Sequence, residues 1–502
     1  MTGTGAASRP ALARIAIFGG GPVALSAALV LARTLPGAQI RVIVPREPQG
    51  AIADMAHTGL PMLGRFFERV GLDEDMLLTR TGATHRLACR YRGWGPNDPW
   101  FTGHGAAPNP ALIGGFVGQG SGRAGASAEM DRPAGPAAAL AALGRFAEPS
   151  DDPASPLSDL DYALRIDPGA YVRLLMSAAQ QAGVTGGPGE PVALDRDPAG
   201  MIRSVRLANG EGVAADLYLD CTGPGARLFA LAQADQRQDW TSQLGCDRLM
   251  LPARPAQPMT APVDDWVAVP EGWISVSPGR DRTHLMLGYA SAATTDDAAA
   301  AALARTTGAE PGPIVPVRPG RLNDPFQFNL VALGDAAASL EPLGWTNLHL
   351  AMGQIDLLAE LLPGRDIIPQ ERAEYNRRAG MLADRVRDYV AAHYALPGLP
   401  AGPFWTRVGT LDRSESLART LGEFTRRARL PYFEEDSVSR DLWLQLLLGI
   451  GMTPGANGRL LGTPDAERQA AQQAHRLGVE AAIASARPYS AWLQDRLARQ
   501  TG

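Results

Sequence analysis

Hydrophobic positions come first as a compact block and then at helical spacing. Arg14–Phe18 is apolar after its first residue, Gly19, Gly20 and Gly21 follow, and from Pro22 onward Leu25, Ala28, Leu29 and Ala32 recur on one face. That order predicts strand, turn and helix, and residues 40–44 supply a second strand, so the chain opens as a βαβ unit. Residues 60–70 put Leu63, Phe66 and Phe67 on a helix, and residues 83–91 alternate as a strand. A helix over 171–181 opens behind Asp167 and Pro168, which suit a cap and a first turn. Residues 192–220 read as short strands around the turn Asn209-Gly210, the last of them (214–220) returning to the first sheet. Residues 266–289 have strand periodicity, with turns at Glu271-Gly272 and Pro278-Gly279, and predict an antiparallel sheet that floors a chamber. From Gly334 onward the chain returns to the first domain and runs into a long helix through Leu358, and residues 371–488 are largely helical.

Composition narrows the class. The chain has 502 residues, 45% of them hydrophobic, enough for two or three closely joined domains. A net charge of -5 gives no basic field for nucleic acid. Cys89, Cys221 and Cys246 are too scattered for a disulfide framework or a metal cluster, which points to a reducing cytoplasm. The seven histidines show no metal-ligand spacing, so no metal is expected. The apolar run after Arg14 is broken by the glycines and reads as buried strand and helix, with no membrane span. Residues 96–156 are rich in Gly, Ala, Pro and Ser, and GQGSGRAGASAEM within them reads as a mobile loop, either a disordered insert or a substrate-side lid.

The chemistry begins at the glycines. Gly19-x-Gly21-x-x-Ala24 is a dinucleotide fingerprint in its proper strand–turn–helix setting. Gly19 makes the turn, Gly21 lets the backbone approach a pyrophosphate, Pro22 opens the helix and Ala24 permits close packing. The acidic residue expected after the second strand is shifted to Glu47, which either holds ribose hydroxyls or faces solvent. Gly223 closes a later strand, and Gly334-Asp335 sets a carboxylate where it can accept a hydrogen bond from a ribityl hydroxyl. Pro342, Thr346 and Asn347 continue that segment. Together these point to FAD. With one dinucleotide fingerprint evident, electrons come from a separate flavin reductase or from transient contact with NAD(P)H.

With those residues in hand, the chain resembles the flavin-dependent tryptophan halogenase family and its hydroxylase relatives. GGGPVALSAALVLA is similar to the family's first glycine motif, GATHRLACRYRGW to the segment bearing its catalytic lysine, and GDAAASLEPLGWTNLHLA to its flavin and halide segment. EYNRR, RDYVAAHY and DLWLQLLLGIGMTP resemble its C-terminal landmarks. The resemblance implies an α/β fold: a Rossmann-like FAD-binding domain (12–95, 161–230 and 329–365), an antiparallel-sheet substrate domain (231–328), an insert or lid (96–160) and a helical C-terminal region (366–502). In the family, hypohalous acid formed at the reduced flavin travels down a tunnel to a lysine beside the substrate, where a glutamate assists.

Four positions depart from that machinery. Arg86, next to His85, stands at the lysine position and cannot readily lose its proton. Gly344 replaces the glutamate and Trp345 follows it; of the WxWxIP segment only Trp273 survives; His57 replaces a carboxylate. The departures lead to the expectation of an FAD-dependent monooxygenase that hydroxylates an indole or phenol through a flavin C4a-hydroperoxide. His57, His85 and His349 are the candidates for proton handling, Arg86 for anchoring an anion, and Trp273 and Trp345 for lining the chamber. The resemblance extends to the maturation enzyme that hydroxylates a tryptophan for quinohemoprotein amine dehydrogenase, so a peptide or protein substrate is included. The alternatives are a halogenase with displaced catalytic groups and a non-catalytic FAD-containing assembly protein.

Overall fold

The βαβ start folds as the pattern predicts. In the computed structural model, which describes residues 10–46, 50–107, 135–455 and 464–501, Arg14–Phe18 pairs in parallel with Gln39–Val44, and Pro22–Thr34 is the connecting helix, buried from Pro22 to Leu31. Glu47 and the GQGSGRAGASAEM stretch lie outside the described residues. The nucleotide sheet has six strands in the order Phe326–Gln327, Leu330–Ala332, Leu217–Asp220, Arg14–Phe18, Gln39–Val44 and Thr185–Pro188. All neighbours are parallel except the terminal hairpin. Three adjacent strands therefore end side by side, at Gly19, just before Gly223 and just before Gly334, the edge at which open α/β sheets bind ligands.

A second sheet has seven strands, in the order Pro311–Pro316, Arg248–Pro252, His284–Tyr289, Gly272–Ser277, Val263–Val269, Ala88–Arg92 and Trp100–Gly103. Its pairings are antiparallel, except that Val263–Val269 runs parallel to Ala88–Arg92. The single strand expected over 83–91 is two. Thr84–Arg86 pairs with Ala163–Arg165, whereas Ala88–Arg92 joins the large sheet. The break falls at Leu87, whose N–H donates to Pro262 O at 2.8 Å. Arg86 thus stands where two sheets meet.

The insert is more ordered than its composition suggests, since it supplies the edge strand Trp100–Gly103 and the helix Pro136–Ala142. That edge is covered by the helix Arg440–Gly449. Gln445 accepts from Gly103 N–H at 2.6 Å and donates to Gly103 O at 3.0 Å, which satisfies an otherwise open strand edge. One core lies around the nucleotide sheet. Another, under the large sheet, is aromatic: Trp94, Trp266, Trp273, Trp405 and Trp443 are all fully buried there. The helix Pro369–Ala392 packs along Thr346–Glu360, and its Val386 and Tyr389 reach into the aromatic core.

Candidate functional site

The dinucleotide end is built for an anionic ligand. A Cβ on Gly19, whose φ is +150°, would lie 2.6 Å from the Cys221 carbonyl oxygen, so only glycine fits the turn. A Cβ on Gly21 would collide with the Asp54 carboxylate, which accepts from Val23 N–H at 3.1 Å. The helix end therefore already holds a carboxylate oxygen, the kind of ligand a pyrophosphate offers it. Burial pushes the Asp54 carboxyl up to about 6.

Asp335 sits on the short turn Gly334–Ala336. Its Oδ2 accepts from Ala53 N–H at 2.7 Å, while Oδ1 is buried with no hydrogen-bond partner. Burial raises its carboxyl to about 8, with a smaller push from Asp54 and opposition from the Ala53 N–H. At the start of Thr346–Glu360, Thr346 Oγ1 and Asn347 Oδ1 are likewise buried without partners. Asn347 Nδ2 donates to Leu340 O at 2.7 Å, just before Pro342. Gly223 and Gly334 have φ of +77° and +63°, which bend the chain back at the same edge. Buried orphan polar groups are rare and mark a missing partner. A polyhydroxylated, anionic cofactor supplies those partners, so the residues fit FAD.

The centre of the site is aromatic and cationic. Gly344 and Trp345 both take left-handed backbone, and at Trp345 (φ 59°) this strain turns the indole toward His57. The two rings meet edge-on at 4.2 Å, and His57 stacks on His284 at 4.1 Å. Trp345 Nε1 and His57 Nε2 lack partners. Burial holds the His57 imidazole well below its ordinary range, and the charges of His284, Arg165 and Arg86 push the same way, so it is neutral.

Arg86 Nη1 donates to Asp264 Oδ2 at 3.1 Å and its Nη2 to Gly59 O at 2.5 Å; its Nε has no partner. Arg165 Nε donates to the other oxygen of Asp264 at 2.7 Å. The three side chains are 0%, 2% and 0% exposed for Arg86, Arg165 and Asp264. Two guanidiniums thus share one carboxylate, which leaves a net positive charge in the interior.

The remaining sequence candidates separate. His85 faces away from Arg86, because neighbours on a strand point to opposite sides. Its Nε2 lies 3.1 Å from Glu74 Oε1 and its Nδ1 3.2 Å from Tyr489 OH, with Phe146 and Trp492 packed around the ring. Trp273 Nε1 donates to Tyr394 OH at 2.9 Å, and Tyr394 in turn donates to Glu341 at 2.8 Å. Trp266 stands between Trp273 and Trp345, so Trp273 backs the site without lining it. His349 Nε2 contacts Ser437 Oγ at 3.0 Å, and burial depresses its imidazole to about 4. Sequence reasoning missed Asp54, His104, Arg165, Asp264 and His284. A signal existed for Asp264, an acid in phase with Trp266 along a strand whose Trp266 face is buried.

Beyond Leu60 and His104 opens a chamber of about 570 Å³, walled by Leu60, Phe67, Leu77 and Leu164 and reached by Ser437, the partner of His349. Among the described residues, no group of histidines, cysteines and acids is arranged to hold a metal, and no helix is long and apolar enough to cross a membrane.

The comparisons agree with this geometry. The tryptophan halogenase family model matches residues 14–465. The tryptophan 7-halogenase KtzQ of Kutzneria sp. (strain 744) is 29% identical over 47% of this chain and 45% of its own length. RebH, a tryptophan 7-halogenase of Lentzea aerocolonigenes, is 25% identical over 54% of this chain and 56% of its own. The matched segments thus span about half the length of these curated relatives. The structure of BrvH, a flavin-dependent halogenase from Brevundimonas sp. BAL3, superimposes with a TM-score of 0.85 at 25% identity, covering 97% of this chain and 99% of that one. These matches correct the expectation of a hydroxylating monooxygenase and that of a non-catalytic assembly protein, because the matched model and the relatives named above are halogenases. They give no support to a separate hydroxylase branch or to the maturation enzyme. An FAD-dependent fold, a nucleotide edge with orphan polar groups and a family match over residues 14–465 together place this chain in the tryptophan halogenase family.

Proposed function

We propose that the chain halogenates an electron-rich aromatic substrate, an indole first of all, with FAD as cofactor. The reading is carried by one observation, the match of the tryptophan halogenase family model to residues 14–465; buried polar atoms without partners at Asp335, Trp345, His57, Arg86 and His104 support it. Gly19, Gly21, Ala24, Asp335, Thr346 and Asn347 hold FAD. Bound and reduced, it supplies the oxidising power of dioxygen to a halide. The protein's own residues do the rest. Trp345 and His57 keep water out of the passage. Arg86 stays charged and acts through its free Nε–H, orienting a halogen-bearing anion in place of the lysine. His349 and Ser437 set a hydrogen-bonding pair at the chamber.

The named relatives support an indole ring, and the structural relative MibH, called a lathipeptide tryptophan 5-halogenase, extends the reading to peptide-borne indoles. A separate flavin reductase delivers electrons, and three free buried cysteines fit a cytoplasmic setting. The test supplies reduced FAD, chloride or bromide, air and a panel of indoles and phenols, and reads products by mass spectrometry. Halogenated product supports the proposal. Oxygenated product formed without halide overturns it.

A further inference from the structure

Charge around the chamber is one-sided. Among the described residues, Glu68, Glu74, Asp161 and Asp441 line it against the single cation Arg65. Glu74 is held in place, its Oε1 by His85 Nε2 at 3.1 Å and its Oε2 by the Tyr162 hydroxyl at 2.5 Å, so His85 acts here as a positioning residue. Asp161 accepts from Tyr162 N–H at 2.8 Å, and Asp441 accepts from Ala107 N–H at 2.9 Å. Among the described residues, no carboxylate-binding pair of arginines lines this space.

A second observation points independently to a ligand. His104 lines the chamber, is 3% exposed, and neither of its ring nitrogens has a hydrogen-bond partner. Burial, reinforced by Arg86 and Arg165, keeps its imidazole well below the ordinary range. A neutral imidazole offers one acceptor nitrogen, suited to a ring N–H or phenolic O–H.

We infer that the chamber takes an aromatic substrate carrying a cationic arm, an aryl-alkylamine or the basic side of a peptide. The ring donor meets His104, and the ammonium or guanidinium meets the Glu68–Glu74–Asp161 side. The inference rests on the halogenase reading only in taking this chamber as the substrate's. Arg86 and Arg165 do not line the chamber, but their charge bears on His104, so an aromatic ring suits that end and a cation suits the acidic side. A volume of about 570 Å³ lies inside the range of roughly 300–1,000 Å³ typical of small-molecule sites.

The experiment titrates FAD-loaded protein calorimetrically with tryptamine, tryptophan and indole-3-propionate, which share a ring and differ in charge. Tryptamine should bind at least tenfold more tightly than indole-3-propionate, with tryptophan between. The double substitution Glu68→Gln and Asp161→Asn should reduce that preference to threefold or less. Arg65→Ala, an independent variant, should widen it. Equal or tighter binding of the anion, no measurable binding of either, or a preference unchanged in both variants overturns the inference. Tryptamine that binds with the expected preference but is never halogenated leaves the charge inference standing and counts against the halogenase reading. Halogenation of indole-3-propionate in preference to tryptamine does the reverse.

Discussion

Replacing Asp264 with asparagine tests how the centre of the site is held together. The carboxylate is fully buried and bridges Arg86 at 3.1 Å and Arg165 at 2.7 Å. At an effective dielectric near 20, each such pair is worth roughly 4 kcal/mol of Coulomb attraction. Desolvation of the ions offsets much of that in the intact protein. In the variant the attraction is gone while the guanidiniums' desolvation cost remains: asparagine keeps the shape and a hydrogen-bond acceptor, but two buried guanidiniums are left without a counter-charge. Breaking a buried pair in this way costs about 3–5 kcal/mol, against about 0–1 kcal/mol for an exposed one. Urea unfolding of Asp264→Asn should therefore show a loss of about 3–5 kcal/mol. Asp195→Asn, which breaks the surface pair with Arg206, where the side chains are 50% and 54% exposed, should be nearly silent. Adding Arg165→Met to Asp264→Asn should restore part of the loss, because one uncompensated charge goes with it. A loss below about 1 kcal/mol for Asp264→Asn refutes the shared-carboxylate reasoning.

Other expectations follow from the same geometry. Burial depresses His284 and His349 to about 4. Unfolded imidazole titrates near 6.5, so their contribution is complete above about 6.5 and is lost as pH falls toward 4, up to about 3 kcal/mol each. Acid unfolding followed by circular dichroism should show that slope, and a flat profile from pH 7 to 4 counts against it. Asp54 is ionised above about pH 6 and faces the position that the cofactor pyrophosphate needs. Asp54→Asn should tighten FAD binding severalfold at pH 8 and remove any tightening of the wild type between pH 8 and 5.5; weaker binding in a flavin fluorescence titration contradicts this. Trp345→Ser empties a buried ring site while keeping a strained left-handed backbone. Trp345→Gly should therefore be more stable than Trp345→Ser by about 1 kcal/mol, despite the smaller side chain. Thermal melts in the opposite order reject the strain argument.

The nucleotide half of the site was readable because its signals are local. Gly19, Gly21 and Ala24 lie within six residues on one turn, and Gly334-Asp335 follows a short apolar strand. The parallel strands Arg14–Phe18 and Leu330–Ala332, with Leu217–Asp220 between them, then bring those two segments to one edge. The aromatic and cationic half was readable only one residue at a time. Arg86 is marked by its place in a motif, yet its partner Asp264 lies 178 residues away on the large sheet, and Arg165 is brought to it by the strand paired with its own. His85 neighbours Arg86 in the sequence, but strand alternation turns it to Glu74 and Tyr489. The break at Leu87, which sets Arg86 at a sheet junction, leaves no mark in the hydrophobic pattern.

The expected chemistry went astray for a related reason. Counting lost motif residues at Arg86, Gly344 and His57 suggested oxygen insertion. Motif loss records only which side chain is absent, and a buried cationic cluster can occupy the same space. His104 and His284 had no motif at all, and only the folded chain shows them facing the chamber and His57.

One measurement bears most directly on the account: the mass spectrum of an indole, tryptamine first, after incubation with this protein, reduced FAD, bromide and air. The account predicts a product showing the isotope doublet of bromine, abolished when bromide is omitted. A product that gains only oxygen, whether or not bromide is present, would contradict it.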